Sequence, residues 1–247
     1  MTKIYHINEI NFQNIEVSKN VKKKRDTNDI IIPIFYKTEQ IENLVVEIPA
    51  LYLNDSVSKD IVMLPLKSKN EKMEQDIIAF FRNMDNCILK KIQNILTSLR
   101  NDGRYEHIDY NNISYRSIIN EIENDDSNIY KNGIIKYRIN LDKKNGTRIY
   151  DSSKKMLTES EYKECLIKGV YIKSILEINS LIIRNNNIYV FIKPLQIAIK
   201  IKQKEVVLDE YSFIDSDSED INDNINNTDN VVGTFTEYLE KEDSENN

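Results

Sequence analysis

Two long extended segments, Gly169 to Arg184 and Ile188 to Lys202, are joined by the run Asn185, Asn186 and Asn187. Asparagine tolerates the left-handed backbone that a tight hairpin turn requires, so the pattern predicts one long β-hairpin late in the chain. In its second arm Leu195, Ile197, Ile199 and Ile201 fall on one face, and Gln196, Ala198, Lys200 and Lys202 on the other. A period of two with one apolar side commits this pair to a sheet buried on that side, with Pro194 marking a bulge or an edge.

Shorter runs give the hairpin its neighbours. Asp29 to Tyr36 and Asn43 to Ile48 are rich in β-branched residues and read as strands, the first with Pro33 at an edge or bulge. Gly133 to Leu141 alternates Ile135, Tyr137 and Ile139 against Lys136, Arg138 and Asn140, the pattern of a half-buried strand. One helix interrupts them. From Glu71 to Arg100, apolar residues at Ile77, Phe81, Met84, Ile88, Ile92, Ile95 and Leu99 recur every three or four positions. The polar stretch Asn83 to Asn86 is where that helix could split, and Asp102 with Gly103 supplies its stop. A shorter helix is expected around Ser114 to Ile122, and a turn at Asn145 and Gly146. The fold class is therefore mainly β with an inserted amphipathic helix, α+β.

Charge divides the chain in two. Asp209 to Asn247 holds thirteen acidic residues against the single base Lys241, a net of −12, so a whole-chain charge of −6 leaves +6 on residues 1 to 208. Residues 1–208 have the length of one domain with a proper core, and 209–247 read as an acidic disordered tail, too polar to offset the entropy of ordering. No window approaches the roughly 20 apolar residues of a membrane span, and Met1 to Asn20 lacks a signal-peptide core, so neither membrane insertion nor secretion is expected. Cys87 and Cys165 are too few for a disulfide framework and sit in no metal-ligand spacing.

An enzyme is not expected. The chain has no phosphate-binding glycine loop, its only histidines are His6 and His107, and its densest carboxylates lie in the tail, which gives no rigid support to paired catalytic acids. No cofactor or metal site is expected either.

Cations and rings carry the positive signal. Lys22, Lys23, Lys24 and Arg25 form a run that reads evenly as a solvated loop or as phosphate contacts. Between Tyr130 and Lys155, the residues Lys136, Tyr137, Arg138, Lys143, Lys144, Arg148 and Tyr150 interleave charges for phosphates with rings on which bases stack, the two requirements of single-strand binding. Each tyrosine taken alone reads better as a core ring or a strand end. The hairpin adds Lys173, and Tyr189, Phe191 and Lys193 alternate opposite Ile188, Val190 and Ile192, so one face could present rings and a cation together. Burial of both faces is the alternative.

The words NGIIKYRINLD (132–142), KNGTRIYD (144–151), LIKGVYIKSILEI (166–178) and IYVFIKPLQIAIKIK (188–202), followed by an acidic tail, resemble a protein family of nucleocytoplasmic large DNA viruses. That family is regarded as related to the single-stranded-DNA-binding protein of T7-like phages. The resemblance covers about residues 61–204, and the 40 Ile and 31 Asn against 3 Ala suit an AT-rich viral genome. It implies an OB-like β-barrel, sequence-independent binding of single-stranded DNA in replication, recombination or repair, and a tail that competes for the groove or recruits replication proteins. Location in the host cytoplasm at a viral replication site, or in the virion, follows from it. One departure is that the last aromatics here are Phe235 and Tyr238, whereas phage-type tails end on an aromatic. Expected partners are single-stranded DNA and replication proteins, with a homodimer left open and no membrane. The competing expectation is a non-catalytic viral structural or assembly protein that binds other proteins.

Overall fold

The computed structural model describes residues 3–24, 27–122, 128–142 and 144–200. The expected boundary at Leu208, the tail, Arg25 and Lys143 lie outside these residues.

The hairpin forms and organises the rest. Its arms are the last two of the twelve described strands, an order that begins with β1 (Tyr5–His6), β2 (Ile15–Val17), β3 (Lys22–Lys23), β4 (Ile30–Lys37), β5 (Ile41–Glu42), β6 (Leu44–Tyr52) and β7 (Ile61–Pro65). After helix α1 (Glu71–Arg100) come β8 (Ser114–Arg116), β9 (Ile134–Arg138), β10 (Arg148–Tyr150), a short helix α2 (Glu159–Cys165), and the hairpin arms β11 (Tyr171–Arg184) and β12 (Asn187–Lys200). Asn185 and Asn186 make the two-residue turn with φ of 47° and 56°, and Arg184 pairs with Asn187 across it. That is the conformation for which asparagine is suited.

One edge of β11 takes β12 along its whole length, and the other takes two strands in succession, β6 against residues 171–178 and β4 against 180–183. Asn179 is the extra residue at the changeover, and Leu195 is extra on β12, so the bulge next to Pro194 is present. The pairing of β4 with β11 stops at Pro33, whose nitrogen has no hydrogen to donate; beyond it β4 turns to β2 and β5. The far edge of β12 carries β8 at residues 187–189 and β10 at 196–198, both parallel.

Among the described residues the hydrogen-bonded path runs β1-β6-β11-β12-β10 and its ends do not meet, so the sheet is open. The expected closed OB-like barrel is not formed. Strands β7 and β9 form a separate two-stranded sheet, with single bridges from Ile61 to Ser58 and from Ile134 to Asn120, and β9 lies over the core, where the Tyr137 hydroxyl meets Ser174 Oγ of β11 at 2.7 Å.

Ile172, Leu176, Ile178, Leu181 and Ile183 of β11 point into one apolar core with Ile188, Ile192, Ile197 and Ile199 of β12. The apolar stripe of α1 fills the same core, every one of its seven expected positions being buried. Asn70 caps the helix by accepting from the Lys72 and Met73 amides. The polar stretch Asn83 to Asn86 does not split it: Asp85 is buried and accepts from Tyr115 and Ser117 hydroxyls, at 2.7 and 2.5 Å, and from the Ile118 amide. The same bonds overturn the expected helix at Ser114 to Ile122. With its hydroxyls and an amide committed to Asp85, this segment runs extended and adds to β12 as β8.

Helix α2 was not expected from the sequence. Its signal is Thr158-x-x-Glu161, a capping box in which Glu161 Oε2 accepts the Thr158 amide at 2.7 Å and Thr158 Oγ1 accepts the Glu161 amide.

Candidate nucleic-acid interface

Side chains alternate across a strand, so the residues between the core positions of β11 and β12 form a second, outer face of the main sheet. The two bulges restore this alternation after each extra residue, and the outer face continues along the 14 residues of each arm. On β12 it carries Tyr189 and Phe191, exposed at 42% and 43%. The sequence left open whether these rings are covered on both sides, and they are not.

Register joins them to neighbours on four other strands. Tyr189 is opposite Ile182 of β11, Ile182 opposite Ile31 of β4, and Ile31 opposite Lys22 of β3. On its other side Tyr189 is in register with Arg116 of β8. The result is one row, Arg116, Tyr189, Ile182, Ile31 and Lys22, with a cation at each end, a ring beside one of them and apolar side chains between. At a strand spacing of about 4.8 Å, it spans about 19 Å. The adjacent row is Phe191, Ser180 and Pro33.

These rows floor a shallow concavity of about 520 Å³ lined by Lys22, Lys24, Ile31, Pro33, Ser180, Ile182, Arg184 and Phe191. Lys22, Lys24 and Arg116 are exposed and make no ion pair among the described residues. Arg184 is held differently. Its Nε and terminal nitrogen donate to the two oxygens of buried Asp29 at 2.9 and 2.5 Å, and this pairing holds the Asp29 carboxyl below the usual carboxylate range. The ion pair is part of the lining, Lys22 and Lys24 are the unpaired cations there, and Arg116 stands beyond Tyr189 at the end of the row, its Nε donating to Asn187 Oδ1 at 2.7 Å. An apolar and aromatic floor with cations at its margins accepts planar bases on the floor and phosphates at the rim.

Comparison with known proteins adds a description of neighbours. No family model matches the sequence, and no curated protein matches it. Among solved structures, the single-stranded DNA-binding protein from bacteriophage Enc34 in complex with ssDNA is similar over 76% of this chain and 94% of its own, at 10% identity and a TM-score of 0.34. A C-terminal truncation of that phage protein is similar over 78% and 98%, at 10% identity and a TM-score of 0.29. Likeness at these scores carries nothing about fold or ligand.

The expected site residues are not all brought together. Lys22, Lys24 and Phe191 line the concavity, Tyr189 stands beside it in register with Ile182, and Lys23 alternates with the two lysines and turns the other way. Tyr137 is a correction: its ring is buried at 4% exposure with its hydroxyl on Ser174, burial pushes its phenol up, and no base can reach it. Because Tyr137 faces β11, Lys136 and Arg138 are exposed on the side of β9 that turns away from the main sheet. Arg148 and Tyr150 lie on the outer face at the opposite end, in register with Gln196 and Ala198. Lys144 is exposed in the turn before them, where the Asp142 carboxylate accepts the amides of Lys144 and Asn145, and where a side chain on Gly146 would strike the Asp142 carbonyl at 2.2 Å.

Two further expected cations are engaged by carboxylates. Lys173 pairs with Glu47 at 2.8 Å, and Lys193 lies 4.0 Å from Glu177, which also accepts from Asn43 and Asn179. Arg116, Ile31, Pro33, Ser180 and Ile182 were not among the expected residues. The hairpin turn fixes the pairing of Ile182 with Tyr189, so that part was available from alternation; the partners on β3, β4 and β8 had no local signal.

Away from this face, the Cys87 thiol donates to the Phe12 carbonyl at 3.1 Å and is pushed up by burial, which makes it a poor nucleophile. Among the described residues no cluster of three or more His, Cys, Asp or Glu side chains could hold a metal ion.

Proposed function

We propose that this chain binds single-stranded nucleic acid, without sequence preference and without catalysis, across the outer face of its main sheet. The observation that carries the reading is the in-register row Arg116, Tyr189, Ile182, Ile31 and Lys22, which sets unpaired cations on both sides of a ring and an apolar floor. Every base has a stacking face and every nucleotide a phosphate, so such a row discriminates single strand from duplex more than one base from another. DNA as the ligand, and a role in viral replication, recombination or repair, extend this reading along the family resemblance. The acidic residues 209–247 act in it as a polyanion that competes for the same cations or recruits replication proteins.

Titration of a labelled oligothymidylate tests the proposal. Replacing Tyr189 or Phe191 by Ala is expected to cost about 1 to 3 kcal/mol of binding each, with the melting temperature retained. Full affinity with both rings replaced would remove the site. In the same assay a chain ending at Leu208 is expected to bind more tightly, most of all at low salt, and with a steeper salt dependence, because salt no longer weakens a competitor along with the ligand; equal affinity would remove the tail from the mechanism. A purified chain that is not retained on single-stranded DNA at low salt would favour a structural or assembly role.

A further inference from the structure

The outer face has a second aromatic and cationic zone at its other end. Tyr171 of β11 is in register with Tyr52 of β6 on one side and Lys200 of β12 on the other, and the two rings meet edge to face with centroids 5.6 Å apart. Lys69 Nζ sits 4.8 Å from the centroid of the Tyr171 ring. Tyr150 and Arg148 continue this zone on β10. Both Tyr52 and Tyr171 are half-buried, which leaves part of each ring open to solvent.

Between the two zones the charges of the hairpin arms are paired, with Arg148 of β10 the exposed cation beside them. Glu47 neutralises Lys173 and Glu177 faces Lys193, so the middle of the hairpin offers a phosphate little net attraction. From Ile182 to Tyr171 is eleven residues of β11, or about 36 Å at 3.3 Å per residue. A polyanion crossing this face therefore meets attraction at each end and near-neutral ground between.

Resting on the reading above, we infer that Tyr52, Tyr171 and Lys69, with Tyr150 and Arg148, form a second stacking platform for the same single strand. The strand then runs along the hairpin, anchored at Tyr189 and Phe191 and again at Tyr171. Binding strength on this arrangement depends on whether a ligand is long enough to reach both ends.

The experiment compares oligothymidylates of about 5 and about 20 nucleotides, the first near the lower end and the second beyond the upper end of the roughly 4 to 16 nucleotides that single-strand-binding folds of this size engage. On the full chain, Tyr171→Ala and Lys69→Gln are expected to weaken the longer ligand, the first roughly tenfold, on the scale of one lost stacked base, and to leave the shorter unchanged. Tyr171→Phe, which keeps the ring, should retain wild-type binding of both, and thermal melts of all three variants verify folding. Phe191→Ala should weaken both ligands. If Phe191→Ala weakens both while Tyr171→Ala binds the longer one like wild type, the second platform is overturned and the first stands. If the unmodified chain binds neither ligand, both fall.

Discussion

At the scale of single residues, Arg184 and Asp29 show how an interface cation can also hold the fold. Asp29 is only 4% exposed and lies 155 positions from its partner, so neither alternation nor composition could have paired them. The folded carboxyl titrates below its ordinary value of about 3.9, so the stabilisation is fully present above that pH and is lost as pH falls through the lowered folded value. Arg184→Ala is expected to cost about 1.5 to 3 kcal/mol at neutral pH, because the carboxylate stays buried without its main donor. Denaturant titrations at neutral and strongly acidic pH check this: the gap between variant and wild type should close in acid, and a constant gap would refute the assignment. Tyr137 illustrates the other limit of residue-level reading. Its alternation with Lys136 and Arg138 placed it on the apolar side of a strand, yet only the position of Ser174 decides that the ring is spent on the core.

Elements were legible where their signal is local. The hairpin, α1 and the strand at Ile134–Arg138 each have a periodicity that needs no distant partner, and they form where the pattern puts them. Residues 114–122 did not, because Asp85 of α1 claims the Ile118 amide and two hydroxyls that a helix would have left outward or used internally. That carboxylate thereby sets the segment that places Arg116 beside Tyr189. Asp85→Ala is expected to destabilise the fold by about 1.5 to 3 kcal/mol and to speed hydrogen exchange at the Ile118 amide. Weaker oligonucleotide binding should accompany it through Arg116; an Ile118 amide protected as in the wild type would show that β8 is held by other contacts.

For the whole molecule, the opposition between a basic body and an acidic tail was readable from charge alone, whereas the open sheet was not. Closure or opening is decided by which edges meet, and β11 draws its partners from β4 and β6, more than a hundred positions upstream. The three unpaired cations of the outer face, Lys22 and Lys24 at the concavity and Arg116 at the end of the row, give a measurable prediction. With Lys22, Lys24 and Arg116 each neutralising one phosphate, the logarithm of affinity should fall against the logarithm of salt concentration with a slope of about −2, from roughly −0.7 per contact on a single strand. Removing Lys22 should flatten that slope by about 0.7, and an unchanged slope would show that its charge is not used. The same topology sets an order of events during synthesis. The strand that joins β6, β4 and β12 is made about 120 residues after Tyr52, a wait of roughly 6 to 24 s at 5 to 20 residues per second, so β4 and β6, although β1, β2, β3 and β5 are there to pair with them, emerge with the edge that β11 will cover still open. The main sheet is therefore completed late, and a ribosome that stalls before Tyr171 leaves behind a chain whose bare sheet edges invite aggregation.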